Sequence, residues 1–381
     1  MNYMNKLVVF ALISTIILAG CSLKEANAKM GKENKQIGHS SKARLRIQND
    51  SFPEVDNRPI FQPRATISIS PITFESINAI ITTEDLKENV QEIRYHIWRT
   101  ADGPQDRKTF SSADAASDFS FEFNTNEFSG KRGEYQVAVY AVQGDGLDKL
   151  IAKSTLTFQQ HVPILMYHAI DNYNGIGLRE LFVSPANFED QMRYLKDHGY
   201  SFLTFERWGE VNKVNKPVLV TFDDGMKNNL NALWVLQKLQ DDTFHPVATD
   251  YVIAGSIDKT PTRLSSADIR EMVDSGIFSI QSHTMSHADL PMVTNLEEEL
   301  KSSKEKIEQV TGKPVIAIAY PFGHVDRAVV EEAKKYYQYA TTTKPGEFIE
   351  TGEPDEMLLM RRVRISNSTT INQFAALVQS W

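Results

Sequence analysis

The chain has 381 residues, of which 41% are hydrophobic and 24% charged, enough for two folded domains and a tail. Its formal net charge of −8 argues against nucleic acid as a partner. A single cysteine, Cys21, excludes internal disulfides and Cys-type metal centres, which suits an exported protein stabilised by large cores.

Residues 1–21 read as a processing signal. Lys6 gives a positive start, and Leu7 to Gly20 is an apolar run too short for a comfortable membrane span. Leu18-Ala19-Gly20-Cys21 resembles a bacterial lipobox, in which the cysteine receives diacylglycerol and becomes the new N-terminus. The alternative is an ordinary secretory cut near Ala26-Asn27-Ala28. Residues 22–62 are polar and without periodicity, a flexible tether. Such a tether reaches roughly 35 Å. Lys42, Arg44 and Arg46 within it read as a solvated charge group.

Residues 63–158 alternate with period two in Thr66–Ser70, Ile93–Trp98, Phe119–Phe123 and Tyr135–Tyr140. Turn signals at Ala101-Asp102-Gly103-Pro104, Ser129-Gly130-Lys131 and Gly144-Asp145-Gly146 separate the runs. Short strands without helical pattern predict an all-β sandwich of immunoglobulin-like type. His96 and Trp98 read as packing and surface residues, and no chemistry is visible in this segment.

From Val162 the pattern becomes strand–helix alternation. Strands are predicted at Ile164–Tyr167, Ser201–Phe205, Val218–Phe222, Val247–Ile253, Phe278–Gln281, Val315–Tyr320, Tyr339–Thr342 and Val363–Ile365. Helices are predicted at Asn187–Asp197, Asn228–Gln240, Ser266–Asp274, Leu296–Val310, Val325–Tyr337 and Ile371–Ser380. Ser184-Pro185, the Ser265/Asp268 capping box and Gly312-Lys313-Pro314 mark their ends. This repetition implies a parallel α/β sheet or barrel. Active sites of barrels gather at the C-terminal ends of strands, where Asp223, Asp224, His283, Pro321, Phe322 and His168 all fall.

Thr221-Phe222-Asp223-Asp224-Gly225 places two acids after an apolar run, and His283-Thr284-Met285-Ser286-His287 follows some sixty residues later. Histidines at i and i+4 are expected on one side of a single turn. A carboxylate plus two imidazoles leaves a divalent metal with open positions, and the second carboxylate is free to act on water. That combination is the chemistry of a metal-assisted hydrolase. His168, just past the first strand, reads as pocket-lining, and His324 as a weaker candidate.

Thr-Phe-Asp-Asp-Gly followed by His-x-x-x-His resembles the first two motifs of the polysaccharide deacetylases, carbohydrate esterase family 4. Ala319-Tyr320-Pro321-Phe322-Gly323 is similar to the third motif in its exopolysaccharide-deacetylase variant, and Pro163–His168 to that branch's opening strand. The resemblance covers roughly residues 162–381 and implies a distorted (β/α)7 barrel there. It implies Asp224, His283 and His287 as metal ligands, with Zn2+ the default and Co2+, Ni2+ or Fe2+ also fitting the set. Asp223 would be the general base and the Phe322 N–H an oxyanion donor. Pro321 would fix that loop, with Tyr320 and Phe322 lining the floor.

The chain departs from the main family pattern at Ala319, where an arginine is usual, and lacks the fourth and fifth motifs. Arg362 is a candidate to orient Asp223 from another strand, with Arg361 and Arg364 as rivals. His168 is the nearest candidate for the unassigned general acid.

The lipobox and the family resemblance together imply a lipid-anchored enzyme on the extracellular face of a bacterial membrane, with no obligate protein partner evident. It would remove acetyl groups from N-acetylglucosamine-containing glycan, either peptidoglycan or poly-N-acetylglucosamine, releasing acetate. The rival reading is a wall-binding lipoprotein that keeps the fold and metal with little catalysis. If Cys21 carries the anchor, Cys21→Ser moves the protein from the membrane fraction into the medium on cell fractionation; retention of that variant in membranes overturns the lipobox reading.

Overall fold

The computed structural model describes residues 64–86, 90–142 and 148–379. The segment with Cys21, the tether, the Gly144-Asp145-Gly146 turn and the last two residues lie outside the described residues.

The first seven strands are β1 (Thr66–Ile69), β2 (Asn78–Glu84), β3 (Glu92–Arg99), β4 (Lys108–Ser112), β5 (Phe121–Asn124), β6 (Gly133–Val142) and β7 (Asp148–Phe158). They form two antiparallel sheets, ordered β1-β2-β5 and β4-β3-β6-β7. Period-two patterning does the sorting. In β3 the side chains of Ile93, Tyr95 and Ile97 are buried, while Arg94, His96 and Trp98 are only partly so. Tyr95, Phe123, Tyr135 and Phe158 meet in one apolar core, with the Phe123 and Tyr135 rings 5.0 Å apart. The strand predicted from Phe119 begins two residues later, because Asp118 and Phe119 both take left-handed backbone, at φ 50° each.

Seven parallel strands then close into a barrel: β8 (Ile164–Tyr167), β12 (Pro217–Phe222), β13 (Ala248–Val252), β14 (Phe278–Ser282), β15 (Ala317–Ala319), β16 (Tyr339–Pro345) and β17 (Met360–Arg364). β8 pairs with both β12 and β17, which removes the sheet edges. Outside the ring, β9 (Ala169–Ile170) pairs with β10 (Phe182–Val183), and β11 (Ser201–Phe202) adds to β12. Helices α1 (Pro185–Asp197), α2 (Leu230–Leu239), α3 (Ser266–Asp274), α4 (Ser303–Thr311), α5 (Arg327–Ala333) and α6 (Ile371–Val378) alternate with the strands. The predicted caps form: Ser184 accepts from the Asn187 N–H, and Ser265 with Asp268 makes a capping box.

The strand run Val218–Phe222 is buried on both faces. Val218, Val220 and Phe222 pack with Phe188 and Leu236 of the helices, and Leu219 joins Ile164, Tyr251, Ala319 and Met360 in a second cluster. Two predictions are corrected. Only Ser201–Phe202 pairs as a strand, because Phe205–Glu210 turns as 3-10 helix and buries Phe205 and Trp208 in that second cluster. The helix predicted over Leu296–Val310 contains a π-helical turn, Glu298–Ser302, before α4.

The two-sheet unit is joined to the barrel by a buried arginine. Arg99, 2% exposed, ends β3 and donates from Nε to Arg132 O (2.6 Å) and from Nη2 to Gln160 Oε1 (3.2 Å) and Val214 O (3.3 Å). Beside it runs a polar cavity of about 620 Å³ lined in part by His161, Tyr200, Lys216 and Glu347. The Glu347 side chain is 5% exposed, and its Oε2 has no hydrogen-bond partner; His161 Nδ1 lies 3.8 Å away.

Burial pushes the Glu347 carboxyl up to about 8. The unfolded chain ionises this group near 4.3, so the native state holds an extra proton between roughly pH 4 and 8. Its stability contribution is full below that window and is lost as pH rises through it. Glu347→Gln should therefore raise the thermal midpoint little at pH 5 and increasingly towards pH 8.5, followed by circular dichroism melts. A gain independent of pH would show that the carboxyl ionises normally.

Candidate active site

β12 delivers two adjacent acids to the C-terminal end of the barrel. Asp223 continues the strand, its N–H bonded to Tyr167 O at 3.0 Å. Asp224 and Gly225 then turn left-handed, at φ 76° and 59°. A Cβ on Gly225 would stand 3.2 Å from Val252 Cα, so the turn packs closely on β13. The two carboxylates enter different environments as a result.

Asp223 is buried in a bidentate pair with Arg362, whose Nη1 and Nη2 donate to Oδ1 and Oδ2 at 2.7 Å each. Arg362 is 1% exposed, and its Nε donates to Thr342 O at 2.9 Å. Burial opposes the charge of Asp223, but the Arg362 guanidinium outweighs it, with His283 and His168 adding, and holds the carboxyl well below the usual range. Among the three arginines of β17, Arg362 alone turns inward; Arg361 and Arg364 are exposed. His168 Nε2 lies 4.0 Å from Asp223 Oδ2, and burial lowers the pKa of His168.

Asp224 faces the two histidines. Its Oδ1 is 3.6 Å from His283 Nε2 and 3.5 Å from His287 Nε2, and the three donor atoms lie within 4.8 Å of one another. His283 Nδ1 is 2.7 Å from Ala319 O, which selects the tautomer with Nε2 unprotonated and turned to Asp224. Donors bound at about 2.1 Å to one tetrahedral ion sit roughly 3.4 Å apart. The Asp224–histidine separations match that spacing and are too long for hydrogen bonds, so the residues present fit a divalent cation.

The histidines do not converge as predicted. They occupy no helical turn. β14 ends at Ser282, and the chain bends through left-handed Thr284 (φ 64°) and His287 (φ 61°) to bring the second ring 4.8 Å from the first.

Phe322 completes the mouth. It too is left-handed (φ 61°) and 54% exposed, its ring 4.7 Å from His287. Pro321 is buried beneath it. Tyr320, predicted on the floor of the site, instead points into the outer apolar core and is fully buried, because alternation past β15 sends it away from the mouth. A cleft of about 740 Å³ leads from Gly323 and His324 past Asp289, Met292, Arg327 and Leu359.

Sequence reasoning missed three groups with no local signal. Arg263 Nη1 donates to Asp224 O (3.0 Å) and stands 3.6 Å from its Oδ2. Asp250, buried on β13, accepts from Asn229 Nδ2 at 2.9 Å; burial, then Asp223 and Asp224, raise its pKa well above the carboxylate range. Glu299 accepts from the loop that carries His287.

Removing Arg362 leaves the Asp223 charge buried and unpaired. Arg362→Met should cost roughly 3–5 kcal/mol of stability in urea unfolding at pH 7. Adding Asp223→Asn to that variant should recover part of the loss; no recovery would mean that packing, not charge, carries the effect.

Comparison with known proteins places these features in a group. A family profile described as polysaccharide deacetylase matches residues 210–340. BC0361, a polysaccharide deacetylase from Bacillus cereus, has a solved structure that is 60% identical, with TM-score 0.81, covering 83% of this chain and all of that one. YxkH of Bacillus subtilis is 32% identical over 228 residues, 58% of this chain and 76% of its own length. A poly-β-1,6-N-acetyl-D-glucosamine N-deacetylase of Staphylococcus epidermidis is 27% identical over 225 residues, 54% of this chain and 73% of its own.

Proposed function

From the chain's membership of the polysaccharide deacetylase family we propose that it removes N-acetyl groups from an N-acetylglucosamine-containing cell-surface glycan, releasing acetate. The observation that carries this reading is the meeting of Asp224, His283 and His287 beside an acid held ionised by a buried arginine. The Staphylococcus epidermidis relative, by its name a deacetylase of poly-β-1,6-N-acetylglucosamine, favours that polymer over peptidoglycan.

Asp224, His283 and His287 would hold one divalent metal, with Zn2+ the ion best suited to two neutral imidazoles and a carboxylate. When bound, that ion supplies Lewis acidity, lowering the pKa of water and polarising the substrate carbonyl. Asp223 accepts a proton from the water whose oxygen adds to the acetamide carbon. Arg362 keeps Asp223 ionised and fixes both of its oxygens, so the base waits in one orientation. The Phe322 N–H donates to the developing oxyanion; its left-handed backbone and the buried Pro321 fix that group at the mouth. His168, its Nε2 4.0 Å from Asp223 Oδ2, passes the proton that Asp223 takes from water on to the leaving nitrogen as the C–N bond breaks to acetate and amine. The Phe322 ring offers its exposed face to a sugar.

The rival reading of a wall-binding lipoprotein rested on the unassigned general acid and on Ala319 in place of an arginine; the second ground can be answered. Ala319 is buried and lends its carbonyl to His283, while a guanidinium reaches Asp223 from β17 instead. That substitution of source supports a working catalytic pair.

We place the protein on the outer face of a bacterial membrane, anchored through Cys21 and a tether over 22–62. The 63–158 unit is read as an immunoglobulin-like sandwich, supported by its three- and four-stranded sheets, and 162–381 as the deacetylase domain.

The neighbouring acids should fail differently. Asp223→Asn retains metal and loses about 10²–10⁴-fold in acetate release from an acetylated glucosamine oligomer. Asp224→Asn loses metal affinity as well, with activity partly restored by excess Zn2+. Wild-type protein with metal bound and no acetate release from any oligomer or wall glycan would overturn the enzyme reading.

A further inference from the structure

The His287 ring makes no hydrogen bond to protein among the described residues, so its place depends on the backbone that carries it. That backbone is improbable by itself. Thr284 and His287 are both left-handed, a conformation costing on the order of 1–3 kcal/mol for a residue with a side chain. Surrounding groups must therefore over-determine the loop.

One side chain makes three of the bonds that hold it. Glu299 Oε2 accepts from the Met285 N–H (3.0 Å) and the Ser286 N–H (2.9 Å), and Oε1 accepts from Ser286 Oγ (2.5 Å). The Glu299 main-chain oxygen also accepts from the Met285 N–H at 3.1 Å. From the opposite side, Ala254 N–H donates to Thr284 O (3.0 Å) and Gly255 N–H to Met285 O (2.8 Å). A Cβ on Gly255 would stand 2.4 Å from Met285 O, so the loop is pressed between two walls.

Glu299 is 8% exposed, and no Lys or Arg pairs with it among the described residues. A carboxylate buried without a cation is costly unless donors surround it. Here its side-chain donors all come from Met285 and Ser286. It reaches them from the π-helical turn Glu298–Ser302, a distortion that recurs at functional sites.

We propose that Glu299 is a positioning residue for the metal centre, clamping the 284–287 loop so that His287 faces Asp224 and His283. This rests on the reading of those three residues as metal ligands. A glutamate that served only fold stability would lower the melting temperature and leave the metal affinity of the folded protein unchanged. A clamp acts on affinity and on the loop amides.

The test measures Zn2+ affinity of the purified protein by competition with a chromogenic chelator, and amide exchange of the metal-free protein by mass spectrometry. Glu299→Ala should weaken Zn2+ binding about 10–100-fold, as loss of a group supporting a ligand does, and speed exchange in the segment containing Met285 and Ser286. Glu299→Gln keeps an acceptor oxygen for the two N–H groups and should recover most of both. Ser286→Ala deletes one donor and should weaken binding several-fold, which decides the matter if Glu299→Ala does not fold. Wild-type affinity and unchanged exchange in Ser286→Ala, and in any Glu299→Ala that folds, would overturn the clamp. His287→Ala is the control: if it binds Zn2+ as wild type does, the ligand assignment fails instead, and the clamp fails with it as a device for the metal centre.

Discussion

The pair of Asp223 and Arg362 spans the barrel interior, joining side chains 139 positions apart in the chain. Neither charge is tolerable alone at that depth, since an unpaired buried ion costs several kcal/mol. Each is satisfied only when β12 and β17 both stand beside β8 in register, with Leu219 to Phe222 and Val363 to Arg364 paired to it. Closure of the ring and ionisation of the acid are thus one condition. The same closure brings Thr221, Thr342 and the ring of Tyr251 around the guanidinium. An arginine on β17 then does what an arginine at position 319 is expected to do by family resemblance.

Around this fixed pair, the candidate ligands Asp224 and His287, the loop residue Thr284 and Phe322 stand on strained backbone. Asp224, Thr284, His287 and Phe322 are all left-handed. Such residues persist where tertiary contacts outweigh their local cost. The contacts are visible: Arg263 on the Asp224 carbonyl, Glu299 on Met285 and Ser286, Thr343 Oγ1 donating to Phe322 O. The barrel supplies the rigid floor and the loops supply direction, which lets donors from three strands converge on one small volume.

The two-sheet unit joins the barrel through the Arg99 guanidinium, which reaches Val214 O and Asn215 Oδ1, and through Gln160, which reaches Val211 O. Its aromatic core is separate from the barrel cores, yet the junction is polar and well satisfied apart from Glu347. A guanidinium bonded to several carbonyls imposes orientation as well as contact, because its donors lie in one plane.

Much was legible in the residues alone. Period two in Ile93–Trp98, the buried run Val218–Phe222, and the caps at Ser184 and Ser265 are local physics, and the elements formed where those signals stood. The residues of the candidate site were legible too, since Asp223, Asp224, His283 and His287 are few, polar and placed just past strand ends. What the residues could not say was how they meet. The spacing of the two histidines suggested a helical turn, but a loop held by distant partners decided their approach. Arg362 could not be told from Arg361 and Arg364 until the pleat of β17 turned one inward. Tyr320 went to the core by alternation, and Glu299 and Arg263 arrived from other segments with no motif. Sequence determined which elements and which chemical groups exist, because those depend on neighbours along the chain. Tertiary structure alone decided orientation and ionisation, because both depend on burial and on partners that closure of the barrel brings from more than a hundred residues away.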